Sequence, residues 1–522
     1  LPCWLALEWG QAPELKRTMF ELAREVVSIV RLSGSLLASL QLDGDATLEL
    51  AFRKVPKEEG PFMLVSADGR VVQPSTRVSE VAEGNHEVIL TVIAHPVQEV
   101  SSTRTAFALI TSSGSVVAWG DADMGGDTKG AQKDLMTNVL RIYSNAFAFA
   151  ALKRDGSVIS WGLPTGGGDS RSVRSSLACG VKEIFATRLA FAALKEDGSV
   201  VCWGAATYGG DSPVLSQRIR TIRSTDSAFA ALKEDGGIIA WGDATGGGDA
   251  SSVQDELQDV TELYACKYAF AAVTCKGFCV VCWGNAISTG SVKYTLDVPV
   301  RCIYSTSSAF AALDAAGDVR CWGDCSSGGE LDEQPQEVTH IFGNEVAFAA
   351  LKKDGSVVTW GGHYLDLDLK SGPSQTLDQL SNGICHVTST CLAFAALKDD
   401  ASVVTWGHRN RGGDSTEVSH RLANGVRQIC ATDNAFAAVT LSGAVVTWGV
   451  KDSGGDSSSA EMFLQSDVHQ VFSTCNAFMA IKYDGSIVAW GGRRSGGDAS
   501  MVSRQLQVAG GKQPAPRTEE SE

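Results

Sequence analysis

GVKEIFATRLAFAALKEDGSVVCWGAATYGGDSPVLSQRI, residues 180–219, is one copy of a pattern that recurs ten times in this 522-residue chain. In each copy an Ala-Phe pair is followed 12 residues later by a Trp-Gly pair, and only the fifth copy departs, by one residue at its turn (Phe278). The Phe positions are 107, 149, 191, 229, 270, 310, 348, 394, 436 and 478, and the Trp positions 119, 161, 203, 241, 283, 322, 360, 406, 448 and 490. Successive Trp residues lie 38 to 46 apart. A fixed period near that length means a propeller or a repeat array. A feature copied ten times is also scaffold before it is catalytic chemistry.

Inside the copy, Val181 to Thr187 alternates apolar and polar residues, the pattern of a strand. Ala190 to Leu194 and Ser199 to Trp203 are two further apolar runs, with Asp197-Gly198 between them as a hairpin turn. Both faces of that hairpin are apolar: Phe191 and Ala193 point one way, Ala190, Ala192 and Leu194 the other. A sheet with one wet face would alternate with polar residues. Each small sheet is therefore expected to be covered on both sides, with alanines permitting close approach and Phe and Trp filling the gap. After Trp-Gly, two glycines and then an acidic residue, eight after the Trp, recur in eight copies: Asp127, Asp169, Asp211, Asp249, Glu330, Asp414, Asp456 and Asp498. The segment behind that acid, such as Ser170 to Leu177, reads as one or two helical turns capped by the Asp, or as a fourth, outer strand.

The stretch ALKEDGSVVCWG (193–204), with a glycine six residues after the Trp, resembles the regulator-of-chromosome-condensation family of β-propellers. The resemblance covers about residues 97–508 and departs in two places: Gly-Gly-Asp-Ser stands where the family has Gly-Gln-Leu-Gly, and Ser-Thr-x-x-Ala-Phe (305–310) where it has Gly-x-x-His-Ser. It implies a propeller, and for function a guanine-nucleotide exchange factor or other regulator of a small GTPase. No long insertion that would serve as a wedge interrupts the repeats. Large ubiquitin ligases and a plant ultraviolet-B photoreceptor carry similar repeats. The first pair them with a catalytic domain that does not follow here, and the Gly-Trp-Arg-His-Thr motif of the second has no match.

The fold class expected is thus mainly β, a propeller of about ten short repeats over residues 96–509. A seven-bladed ring with extra units, or an open solenoid, stays open at this point. Closure would bring the first strand, Val97 to Ser102, beside the last unit and remove an exposed sheet edge. Ahead of the repeats, residues 1–25 read as an extension with a helix over Pro13 to Val26, and 26–95 as a small α+β domain. Its order is hairpin (26–42), helix from an Asp45 cap with Leu48, Phe52 and Val55 on one face, strand (62–66), Asp68-Gly69 turn and last strand (87–93). The order and the stretch Ser66 to Val81 resemble a ubiquitin-like β-grasp domain, without the diglycine tail needed for conjugation, which implies docking to ubiquitin machinery. The chain starts at Leu1 and not at Met, so it reads as a possible fragment, and the apolar patch 1–9 is too short for a signal peptide. Residues 510–522 read as a disordered polar tail.

Net charge is −16, which argues against broad contact with nucleic-acid phosphates and favours basic partners. No run of 18 apolar residues exists, so no membrane span is expected. Cys202, Cys282 and Cys321 precede repeat tryptophans where other copies have Ala, Ser or Thr, and read as small buried residues. No disulfide ladder follows the period, which points to a reducing compartment, cytoplasmic or nuclear. Neither a phosphate loop nor a Gly-x-Ser-x-Gly elbow nor a His-Glu-x-x-His site occurs, so no catalytic residue, metal or cofactor is expected. The function expected is a non-catalytic protein-interaction scaffold, with exchange factor and ligase recognition subunit as alternatives. The loops that break the repeat, Asn285 to Gly290 and Gly362 to Asp368, are where a rigid frame would acquire specificity. That reasoning selects Tyr364, Asp366 and Asp368 as partner contacts, supported by His408, Arg409 and Arg411.

Overall fold

In a computed structural model, residues 24–31, 35–43, 46–55, 62–67, 70–74, 76–82, 87–211, 218–274, 278–290, 293–295, 298–362, 378–500 and 502 are described. Contacts divide the chain between His95 and Pro96 into two units.

In the first unit β1 (Arg24–Arg31), β2 (Leu36–Asp43), β3 (Phe62–Ser66), β4 (Val71–Val72) and β5 (Glu87–Ala94) form one mixed sheet of order β2-β1-β5-β3-β4. β1 and β5 run parallel at its centre, with Val27 opposite Val88, and β3 runs antiparallel to β5. Val27 and Ile29 point into the core with Leu64 and Leu90, and two helices, α1 (Glu49–Lys54) and α2 (Val78–Val81), supply Leu48, Ala51, Val55 and Val78. The helix starts at Glu49 with Leu48 as its cap residue, which makes no side-chain cap; the expected cap, Asp45, lies outside the described residues. The backbone before it is already engaged: Thr47 bridges Arg77, and the Leu48 N–H donates to the Thr76 carbonyl at 2.9 Å. The other expected helix, over 13–26, lies outside the described residues up to 23, and Arg24 onward is strand.

Among the described residues the repeats build ten further sheets, nine of three strands and one of four. Unit 3 serves as the type: an inner strand Val181–Ala186, a middle strand Ala190–Lys195 and an outer strand Val200–Gly204, all antiparallel. Phe191 pairs with Trp203 across the hairpin, and their rings stack at 5.3 Å. The two faces separate as the alternation demands. Phe191, Ala193 and Trp203 pack on Ala148, Ala150 and Leu152 of unit 2, whereas Ala190, Ala192 and Leu194 receive Phe229 and Trp241 of unit 4. All ten Phe–Trp pairs are stacked, at 5.1 to 5.5 Å.

Among the described residues, eight of the ten interfaces are also tied by a hydrogen bond from the repeat Trp. The Trp161 indole N–H donates to the Gly125 carbonyl of the previous unit at 3.0 Å, and Trp203 to Gly167 at 2.9 Å. This fixes the two glycines of the loop. Gly125 has φ +100° and any Cβ there would lie 2.5 Å from the Phe149 ring, while one on Gly126 would lie 2.6 Å from the Gly120 carbonyl carbon. The series returns to its start: Trp119 of unit 1 donates to Gly496 of unit 10 at 3.1 Å, and Phe107, Leu109 and Trp119 share a core with Met479 and Ile481. The ten sheets therefore form a repeat propeller whose last joint is built like the others.

The segment after Gly-Gly-Asp resolves into short 3-10 turns, for example Arg171–Val173, Ser251–Val253 and Ser458–Phe463. The Asp carboxylate accepts from the N–H two residues on, Asp169 from Arg171 at 3.0 Å and Asp414 from Thr416 at 3.0 Å. Unit 5, which lacks Gly-Gly-Asp, differs: Lys293–Thr295 there forms a fourth strand, pairing Tyr294 with Val280.

Candidate functional site

Three consecutive positions, five, four and three residues before the repeat Phe, build the mouth of the central axis. The first is Ser, Ala or Gly, because the inner strands nearly touch there. Ser102 donates to the Ser473 carbonyl at 2.9 Å, Ser473 to Ala431 at 2.7 Å and Ser389 to Gly343 at 3.2 Å, each reaching the preceding unit across the inner strands. The second is Thr in seven units. Thr390 Oγ1 accepts from the Ala393 N–H at 2.9 Å and donates to the Arg411 carbonyl at 3.1 Å, so it joins the mouth to the loop after Trp-Gly.

The third position carries the variable chemistry: Arg104, Ala146, Arg188, Asp226, Lys267, Ser307, Glu345, Cys391, Asp433 and Cys475. Their backbones form a belt in which nine of the ten N–H groups, all but that of Ala146, donate to the carbonyl of the same position in the next unit. Lys267 donates to Ser307, Ser307 to Glu345, Glu345 to Cys391, Cys391 to Asp433, Asp433 to Cys475, and Cys475 to Arg104, all within 3.0 to 3.2 Å. The belt holds ten side chains in fixed order around an open cavity of about 640 Å³. A second lobe of about 360 Å³ lies against units 1 to 5 and includes Arg104, Arg188, Asp226 and Lys267.

Charge is partly matched around this ring. Arg104 pairs with Asp433 at 3.2 Å and Lys267 with Glu345 at 3.9 Å. Arg188 lies 5.7 Å over the Phe147 ring, and among the described residues no carboxylate comes within ion-pair distance of it. Burial raises the proton affinity of Asp226 and Asp433, opposed by the cations around them. Cys391 is pushed up to about 12, by burial first and then by Asp433 and Glu345, and Cys475 rises for the first two of these reasons. Both thiols stay protonated at neutral pH and are poor nucleophiles. The ring can bind charge; it does not generate a nucleophile. Along the inner strands, Tyr304 and His340 share a hydrogen bond of 3.2 Å, and Phe342 stands between His340 and His386. Burial, with His386 and Arg301, lowers the His340 pKa. No group of His, Cys, Asp and Glu among the described residues is arranged to hold a metal.

Of the residues singled out by sequence, Tyr364, Asp366 and Asp368 lie outside the described residues. His408 precedes the 3-10 turn Arg409–Arg411. Arg409 pairs with Asp414 at 2.9 Å, and the Arg411 guanidinium donates to Asn434 Oδ1. Through Thr390 this loop abuts the axial mouth. The belt position itself went unselected, although it is the position in the repeat where both signs of charge alternate with neutral residues.

No family model and no curated protein matches the chain. Among solved structures, the yeast Prp20 (RCC1) in complex with Kap60 is 17% identical, with 66% of this chain and 90% of that one covered and a TM-score of 0.33. The WD40 ectodomain of the Arabidopsis thaliana receptor kinase ACR4 is 18% identical, covering 50% and 90%, with a TM-score of 0.30. Human WBSCR16 is 16% identical, covering 52% and 78%, with a TM-score of 0.28.

Proposed function

We propose that this protein is a non-catalytic protein-interaction scaffold whose binding face is the axial mouth and the loops around it. One observation carries the reading. Ten side chains of differing charge stand on a backbone belt, nine of whose ten N–H groups are spent on the belt itself. A rigid frame that presents variable residues around a cavity is how loops acquire recognition. His408, Arg409 and Arg411 adjoin the same face through the Thr390–Arg411 bond. Tyr364, Asp366 and Asp368 are proposed contacts on the strength of their divergence from the repeat alone. The first unit is proposed as a β-grasp docking domain, a reading supported by its sheet order and by the parallel pair β1–β5.

The test is recovery of partners from cell extract on the full chain, identified by mass spectrometry, beside a variant carrying Glu345→Lys and Asp433→Lys. The expected result is a reproducible partner lost by the variant at unchanged melting temperature. Equal recovery on both would move binding off this face. Accelerated nucleotide release from a recovered GTPase would replace the scaffold by an exchange factor.

A further inference from the structure

The polar groups lining the cationic lobe of the mouth are almost all consumed by the frame. Ser224 donates to the Ala186 carbonyl, Thr187 to Tyr208, Thr225 to Gly246 and Asn145 to Gly166, at 2.6 to 3.0 Å. The belt N–H groups of Arg188 and Asp226 are bonded to Asp226 and Lys267. What faces the roughly 360 Å³ lobe is therefore the side-chain set Arg188, Asp226 and Lys267, of which Lys267 also makes a long contact of 3.9 Å with Glu345. Arg188, Asp226 and Lys267 follow one another in successive units, and no ion pair closes between Asp226 and either cation. Glu345 and Asp433 stand on the other half of the ring, with Arg104 committed to Asp433.

A neutral or apolar occupant would strip water from these charges and return nothing, which is costly. A charged one must match the order around the ring. A carboxylate suits the lobe better than a phosphate: a guanidinium and an ammonium flank the gap, and beside the Asp226 carboxylate a single negative charge is repelled less than a double one. The net charge of −16 meanwhile steers basic sequences toward the molecule, and Glu345 and Asp433 give their cations a place to land.

We propose that the axial mouth binds a mixed-charge peptide segment of a partner protein, a basic stretch carrying one acidic side chain that seats between Arg188 and Lys267. This rests on the scaffold reading and narrows it to one site and one peptide chemistry. It is tested with the full-length chain by fluorescence anisotropy against four labelled decapeptides: a Lys/Ser sequence with one central Glu, the same with Gln, with Lys and with phosphoserine at that place. The Glu peptide is expected to bind at least tenfold more tightly than the Gln peptide. Arg188→Glu should abolish that preference and favour the Lys peptide, while the melting temperature stays unchanged. Lys267→Gln should weaken the preference by a smaller factor. Equal binding of Glu and Gln peptides, or an unaltered preference in Arg188→Glu, would overturn the proposal. Tighter binding of phosphoserine than of Glu would also overturn it and make the lobe a phosphate site. If the peptides fail while a partner recovered from extract still depends on Glu345 and Asp433, the scaffold reading stands and only this site falls. Loss of both removes the face altogether.

Discussion

Trp241 shows what a single repeat residue contributes. Its ring stacks on Phe229 at 5.3 Å, its indole N–H donates to Gly209 at 3.2 Å, and its surroundings include Ala190, Ala192 and Leu194 of the neighbouring sheet. Trp241→Ala leaves a cavity between two sheets that cannot collapse without moving backbones, and should cost about 3–5 kcal/mol. Chemical denaturation measures this, and a loss below about 1 kcal/mol would contradict the packing described. The cysteines make a second residue-scale case. Burial drives the Cys282 thiol pKa upward and raises Cys321 to about 12. A raised pKa keeps the thiol protonated, and only the thiolate reacts. Brief alkylation of the native protein at pH 8 should therefore mark the exposed Cys179, Cys325 and Cys385 and spare Cys266 and Cys282. Mass mapping that finds Cys282 modified as fast as Cys385 would refute it. The Trp, Phe and small-residue positions were legible in the sequence because packing restricts the first two to one residue type and the third to small side chains in every copy. Arg188 and Asp226 were not, since the belt constrains only their backbones and leaves the side chains free to differ.

At the scale of the element, the loop after Trp-Gly couples geometry to pH. Asp169 is held near a pKa of about 2, chiefly by hydrogen bonds from Arg171, and Asp414 near the same value by Thr416 and then Arg409. A folded pKa below the unfolded value of about 4 stabilises the fold above pH 4, and that stability is lost as pH falls toward 2. Thermal midpoints should thus be flat above about pH 5 and fall between about pH 4 and 2. The double variant Asp169→Asn and Asp414→Asn should show a shallower fall; an identical acid limb would deny these caps a role. The same carboxylates are spent on backbone N–H groups, so calorimetric titration with calcium should detect no binding at the loops. The sequence left open whether the segment behind the Asp is helix or strand, and the reason lies in its length. Residues 171–173 make only one 3-10 turn, too short to display a period, and in unit 5 the same place holds a strand. Trp322 and Trp406, which face units 5 and 7, are the repeat tryptophans whose indole N–H lacks a partner among the described residues.

For the whole molecule, the question the sequence could not answer was whether ten units close. Period reports the repeat but not the angle between successive sheets, and that angle decides between a ring and a solenoid. The joint between the last unit and the first answers it locally: Trp119 donates to Gly496, Ser102 to Ser473, and Cys475 N–H to Arg104, the same three bonds that tie units within the series. In an open array a terminal unit has one neighbour, so substitution at its outer face removes little. In a closed one no unit is terminal. Trp119→Ala should therefore destabilise the protein about as much as Trp241→Ala, although Trp119 lies in the first unit of the sequence. Comparing the two denaturation curves decides the matter. A loss for Trp119→Ala under about a third of that for Trp241→Ala would mean the joint is open in solution. Equal losses, with protection from hydrogen exchange falling at Phe107 and Met479 together, would show that the two sheets of this joint open as one unit.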